Sequence, residues 1–381
     1  MGAGASRVLP RQSPKCLRDM ESRKKLFMGA ICGSPLLVMD ALDHGENPNK
    51  PARDTRMTAL HYAARYGNEK CIELLLKSGA KLNVPQRYGW RPIHEAAMNG
   101  HTECVRMLLR YGSHANAKTG KTIRNMTPLH YAARMGHLDC VKVLVEMGAR
   151  VDHTNELYET PFHVAAMREQ VPVMEYLLDQ GANINARTLS NMDATYFSVM
   201  IGSLQAVRML MERGIDLEAV YRDGWRLIHV ASDNGRVKVL VTLLDAGVDI
   251  ESKTYERRLT AVHVAARQGQ VGCLRVLRYY GADMHVLCTR GQTALQNAVK
   301  RKHAESARFL IDAGVDVNVV SDYTKETALH MCMLHKDVTL LKMLLVAGAD
   351  PTYKDHWEKT ALDLAWDKES RKLVLASFHN K

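Results

Sequence analysis

Histidine and cysteine are the side chains in this 381-residue chain best suited to bind a metal, relay a proton or act as a nucleophile, and there are 17 and 8 of them. Catalysis or ligation would need them beside carboxylates or one another at triad or ligand spacing. Instead His61, His94, His130, His163, His229, His263 and His330 occupy one place in a recurring phrase, as in TALHYAARYG from Thr58 and TPLHYAARMG from Thr127. Cys71, Cys104, Cys140 and Cys273 share one later place in it, and no C-x-x-C pair occurs. This pattern predicts structural imidazoles and core thiols of a reducing compartment, with no metal site and no cofactor. A Gly-rich phosphate loop, a nucleophile elbow and paired catalytic carboxylates are all missing from the contexts they require, so the reading is a protein that is not an enzyme. One covalent chemistry does have a motif. Met1-Gly2-Ala3-Gly4-Ala5-Ser6 fits the N-myristoylation pattern that acylates Gly2, and Cys16 is a candidate for palmitoylation.

The element that must position these residues is the stretch Thr58 to Val84. Leu60, Ala63 and Ala64, then Cys71, Ile72, Leu74 and Leu75, fall at helical spacing in two short segments separated by Gly67-Asn68. Thr58 stands where an N-cap is needed and Gly79 where the second helix must stop. Each helix is too short to hold in water alone, so the hairpin needs neighbours. They follow at Arg91, Thr127, Thr160, Asp193, Arg226, Thr260, Thr293, Thr327 and Thr360, at steps of 33 to 36 residues, after a degenerate copy from Lys24.

About eleven such units resemble the ankyrin repeat family, whose T-P-L-H-x-A-A motif is nearly verbatim at Thr127. The resemblance implies an all-α solenoid of helix-turn-helix units with β-turn fingers, and a binding scaffold without a stated ligand. The expected organisation is a disordered basic tail over 1–23, an N-terminal capping repeat over 24–57, the array over 58–359 and a C-terminal capping repeat over 360–381. In the family, the motif histidine hydrogen-bonds between adjacent repeats. The column is expected to break where Tyr196, Gln296 and Asp363 replace it, with softer joints near 193–225 and 293–326. Asn318, in LIDAGVDVN, resembles the asparagine hydroxylation sites of the family and also suits a turn that steadies its own finger.

The family geometry projects variable side chains from the fingers and the ends of the first helices onto a concave face. The residues expected there are Arg65, Tyr66, Tyr88, Trp90, Met98, Met126, Arg134, Met135, Met167, Arg168, Met192, Met200, Trp225, Arg257, Arg267, Arg290, Lys300 and Arg301. The methionines form a strip from Met98 to Met200, and flexible thioethers suit adaptable surfaces. Arg257, Arg267, Arg290, Lys300 and Arg301 form a basic strip, with Trp90 and Trp225 as aromatic anchors. The expected partner is a protein with apolar and acidic groups, bound by a monomer.

The net charge of +11 raises nucleic acid as an alternative partner. Between Arg7 and Lys25, however, seven cations against Asp19 and Glu21 account for +5, which leaves +6 for the rest, and no nucleic-acid motif appears. Nucleic acid is therefore not the expected ligand. The tail's charge instead suits an anionic membrane surface, where basic side chains reinforce a single acyl chain. The reading is a cytoplasmic scaffold or adaptor held at a membrane by its N-terminus. The alternative is a soluble cytosolic or nuclear inhibitor or adaptor that masks its partner without lipid.

Overall fold

The computed structural model describes residues 22–377. Among them are helices and turns and no strand, the all-α class of paired helices expected. The chain divides into two compact units, one ending at Ala194 and one beginning at Thr195. The division falls inside the repeat whose sequence departs furthest from its neighbours.

The local reasons for each hairpin are visible at Thr58. Its backbone is extended (φ −85°, ψ 168°) and leads into the helix Ala59–Tyr66, which ends at Gly67 in the left-handed region (φ 73°). That conformation costs glycine little. The second helix, Glu69–Lys77, turns Cys71, Ile72 and Leu75 inward. In the first unit the hairpins are Ser22–Cys32 with Pro35–Asp43, Ala59–Tyr66 with Glu69–Lys77, Pro92–Asn99 with Thr102–Arg110, Pro128–Met135 with Leu138–Glu146, and Pro161–Ala166 with Val171–Asp179. In the second, Leu204–Glu212 is followed by Leu227–Asp233 with Val237–Asp245, Ala261–Arg267 with Val271–Tyr279, Ala294–Lys300 with Ala304–Asp312, and Ala328–His335 with Val338–Val346. Within each unit first helices pack on first helices and second on second. Leu60, Ile93, Leu129 and Phe162 are thereby buried in the first unit, and Leu240, Leu277, Leu310 and Leu344 in the second. Burying each such side chain contributes about 1.5–3 kcal/mol.

Two columns of hydrogen bonds tie repeat to repeat. In the first, the amide of Thr58 donates to His61 Nδ1 (3.2 Å), which leaves the ring proton on Nε2 to be donated to the Trp90 carbonyl of the next repeat (3.2 Å). His94 repeats this with Arg91 N (3.0 Å) and the Ala117 carbonyl (2.9 Å), and His130 with Thr127 N (3.2 Å) and the Glu159 carbonyl (3.0 Å). His229, His263 and His330 do the same in the second unit.

The expected break at Gln296 does not occur. Its Oε1 accepts from Thr293 N (2.9 Å) and its Nε2 donates to the Val319 (2.8 Å) and Glu326 (3.1 Å) carbonyls, because a primary amide offers the same acceptor and donor as a neutral imidazole. Asp363 keeps only the acceptor half, taking bonds from Thr360 N (2.9 Å) and Oγ1 (2.7 Å).

The second column was not foreseen. Asn116 donates to the Gly148 carbonyl (3.0 Å) and accepts from Arg150 N (2.8 Å); Asn318 bridges to the Gly348 carbonyl (3.2 Å) and Asp350 N (2.7 Å) in the same way. Asn318 therefore steadies the following repeat, where the sequence suggested its own finger.

The ends differ from expectation in two places. The first helix begins at Ser22, two residues before the expected start of the first repeat. At the other end residues 361–364 form only a turn, followed by the helix Lys368–Ser377. Asp367 accepts from Ser370 N (2.7 Å), and capping a new helix there cuts the previous one short.

Candidate functional site

Fingers and first-helix ends of the second unit converge on a cluster of cations. The finger from Thr254 to Leu259 is closed by the bond from Thr254 N to the Leu259 carbonyl (3.1 Å), and the next by Cys288 N to the Gln292 carbonyl (3.0 Å). The fingers are pinned side by side, with Thr289 N donating to the Arg257 carbonyl (3.0 Å) and Asp322 N to the Arg290 carbonyl (2.9 Å). Arg257 and Arg290 thus project from equivalent places on adjacent fingers. The second finger turns at Gly291 (φ +64°), a conformation that glycine adopts at little cost, with the Asp322 carboxylate within 2.6 Å of where a Cβ would stand.

Arg267 and Lys300 are the last residues of Ala261–Arg267 and Ala294–Lys300, and Arg301 follows. A cation at a helix C-terminus also complements the helix dipole, which gives these three a structural role beside any binding role. All five basic residues of the expected strip line one cavity of about 100 Å³, with Gln292 and Asn297. No carboxylate lines it. Arg267 reaches Asp233 outside (3.5 Å). Among the described residues Arg257, Arg290, Lys300 and Arg301 have no ion pair. A depression of about 630 Å³ shares Arg290, Gln292 and Lys300 with this cavity and adds Glu256, Thr289, Ser321, Tyr323, Thr324 and Glu326.

The rest of the expected binding set is placed less uniformly. Met126 is buried at 5% exposure and belongs to the core, so it offers no face to a partner; its amide is held by Thr119 Oγ1 (3.0 Å). Met98, Met167, Met192 and Met200 are half-buried and Met135 is exposed. Among the polar and aromatic members, Arg65, Tyr66, Tyr88 and Arg168 are exposed and Arg134 is half-buried. Trp90 is half-buried against Tyr131 (ring centroids 4.4 Å apart), and Trp225 packs on Leu259, Val264 and Cys288. Truncating either indole would remove packing as well as surface. Sequence reasoning passed over the exposed fingertip residues Tyr158, Leu189 and Tyr255, whose only signal was an apolar side chain at a finger tip.

Glu95 was missed as well. It is buried beside Gln86, whose Nε2 donates to it (3.1 Å), and burial pushes its carboxyl up to about 7. Gly2 and Cys16 lie outside the described residues.

The histidines and thiols show no reactive arrangement among the described residues. Burial lowers His61, His130, His229 and His263 to about 4 and His94 to about 3, which keeps them neutral. Burial raises the Cys71 and Cys273 thiols to about 11 and Cys104 to about 12. Such thiols stay protonated and poor as nucleophiles. Among the described residues no group of three or more His, Cys, Asp and Glu is placed to hold a metal ion, and no helix is long and apolar enough to cross a membrane.

Stacked helical hairpins joined through motif histidines, with side chains presented from fingers and helix ends, define a repeat-scaffold class. The family model "Ankyrin repeats (3 copies)" matches residues 26–119, 114–188, 163–254 and 256–355, and the chain belongs to the ankyrin repeat family. Among curated proteins it is similar to Ankyrin repeat and SOCS box protein 16 of Homo sapiens, 34% identical over 71 residues, covering 19% of this chain and 16% of that one. It is also similar to Alpha-latrotoxin-Lg1a of Latrodectus geometricus, 29% identical over 118 residues, covering 30% of this chain and 9% of the toxin. Palmitoyltransferase ZDHHC17 of Homo sapiens is 28% identical over 145 residues, 29% of this chain and 23% of that one. This chain thus spans less than a quarter of the length of these curated relatives.

Proposed function

We propose that this chain is a non-enzymatic interaction scaffold that holds a protein partner through an acidic segment laid on the five-cation cavity of the second unit. Ankyrin repeats are protein-interaction scaffolds as a family. The observation that carries the reading is the convergence of Arg257, Arg267, Arg290, Lys300 and Arg301 on one cavity with no carboxylate in its lining. Like charges gathered this closely repel one another, and an anionic ligand relieves that repulsion while gaining bidentate contacts from the guanidinium forks. Within the first unit, the exposed Met135 and the half-buried Met167 and Met192 offer apolar contacts of their own. Acylation at Gly2, together with the basic residues from Arg7 to Lys25, places the scaffold at an anionic membrane surface.

The acidic-ligand reading is tested by fluorescence anisotropy with a labelled hexaglutamate peptide, on wild type and on the double variant Arg257→Glu with Arg290→Glu. Binding by the wild type and at least tenfold weaker binding by the variant, with unchanged helical circular dichroism, is the expected result. Equal binding by both proteins, or none by either, would overturn it.

A further inference from the structure

The cavity's charge and size, and the lining of the depression beside it, identify its ligand more closely. We propose that the group bound there is a phosphate monoester carried by a phosphorylated residue of a protein partner, with a basic residue of the same segment seated in the adjoining depression. The inference rests on the acidic-partner reading above and narrows it.

Three observations carry it. The first is charge balance. Five cations line about 100 Å³ with no carboxylate among them, and the one carboxylate paired to any of them, Asp233, reaches Arg267 from outside. A side-chain carboxylate offsets a single charge, whereas a phosphate monoester near neutral pH carries −1.5 to −2 and offers three acceptor oxygens. Arg257 and Arg290 come from two fingers and Lys300 and Arg301 from a helix end, so donors approach from different sides, as a tetrahedral group requires and a planar carboxylate does not.

The second is size. The cavity is too small for a length of peptide and suits one compact oxyanion. A depression of about 630 Å³ shares Arg290, Gln292 and Lys300 with it, so the chain flanking the anion has an adjoining surface on which to run.

The third is the lining of that depression. Thr289, Ser321 and Thr324 supply hydroxyls and Tyr323 a ring, while Glu256 and Glu326 bring negative charge directly beside the cations. Thr324 Oγ1 donates to Glu326 Oε2 (2.8 Å), which orients that carboxylate. A polyacidic run or a nucleic-acid backbone gains its contacts in the cavity but loses part of them where its further charges meet these glutamates. A phosphorylated residue with a lysine or arginine a few positions away matches both halves.

The test compares three labelled hexapeptides that differ at one position, Gly-Gly-Ser-Gly-Lys-Gly, its phosphoserine form and its glutamate form, by fluorescence anisotropy against the full chain. The expected result is phosphoserine binding at least tenfold tighter than glutamate. That preference should collapse in Arg290→Lys, which keeps the charge and loses the fork, and changing the peptide lysine to glutamate should weaken binding further. Equal affinity for the phosphoserine and glutamate peptides would overturn the phosphate assignment and leave the acidic-partner reading standing. No binding of these peptides or of hexaglutamate would overturn both. Tighter binding of inositol hexakisphosphate, or of vesicles containing phosphatidylinositol 4,5-bisphosphate, than of the phosphopeptide would also overturn it, by assigning the site to a soluble phosphate or a lipid headgroup.

Discussion

His130 accepts a hydrogen bond at one ring nitrogen and donates at the other, so it works only as the neutral imidazole. Burial lowers it, with His61, His229 and His263, to about 4, and His94 to about 3, from an ordinary 6.5. Between those values the unfolded chain binds protons that the folded chain refuses. Stability is therefore complete above about pH 6.5 and falls as the pH drops toward 4, by on the order of 3 kcal/mol per histidine. Circular dichroism against pH is expected to show acid unfolding inside that window, and a flat profile from pH 7 to 4 would contradict it. Gln296 shows which substitution the site accepts. His130→Gln is expected to cost under about 1 kcal/mol at pH 7 and to remove one proton from the acid transition. His130→Ala, which strands the Glu159 carbonyl and the Thr127 amide, is expected to cost about 2–4 kcal/mol by urea denaturation.

At the scale of the element, the turn between the two helices of a repeat is where local chemistry and array geometry meet. Gly67, Gly100 and Gly136 adopt positive φ there, and Glu169 (57°), Lys302 (63°) and Lys336 (55°) adopt it without being glycine. A side chain in the left-handed region costs about 1 kcal/mol. Net of glycine's added freedom in the unfolded chain, Lys336→Gly is therefore expected to raise stability by up to about 0.5 kcal/mol in urea; a loss of stability would contradict the strain argument. The hairpins, their caps and their stops were legible in the sequence because two helical turns and a glycine are local features. The turn at 361–364, where a helix was due, was not, because it was decided by the competing cap at Asp367, three residues beyond it.

For the whole molecule, location and ligand are separate questions carried by separate parts of the chain. A single acyl chain binds membrane only marginally, and each basic residue near anionic lipid adds about 1 kcal/mol. Intact mass after co-expression with a myristoyltransferase is expected to increase by one acyl chain on Gly2, and flotation with phosphatidylserine vesicles is expected to be lost in Gly2→Ala. An unchanged mass would favour the soluble adaptor without lipid.

Sequence alone determined the repeat, its period, the all-α class and the identity of the residues that stack, because each of these repeats a local pattern many times over. It also placed five cations at finger and helix-end positions. Only the tertiary structure decided that these five line a single cavity, that two glutamates stand beside it, that Met126 is core and that Gln296 completes the histidine column. Those outcomes depend on which side chains meet across neighbouring repeats, and a hairpin's own sequence specifies its helices and caps without specifying what the next hairpin will bring to its face.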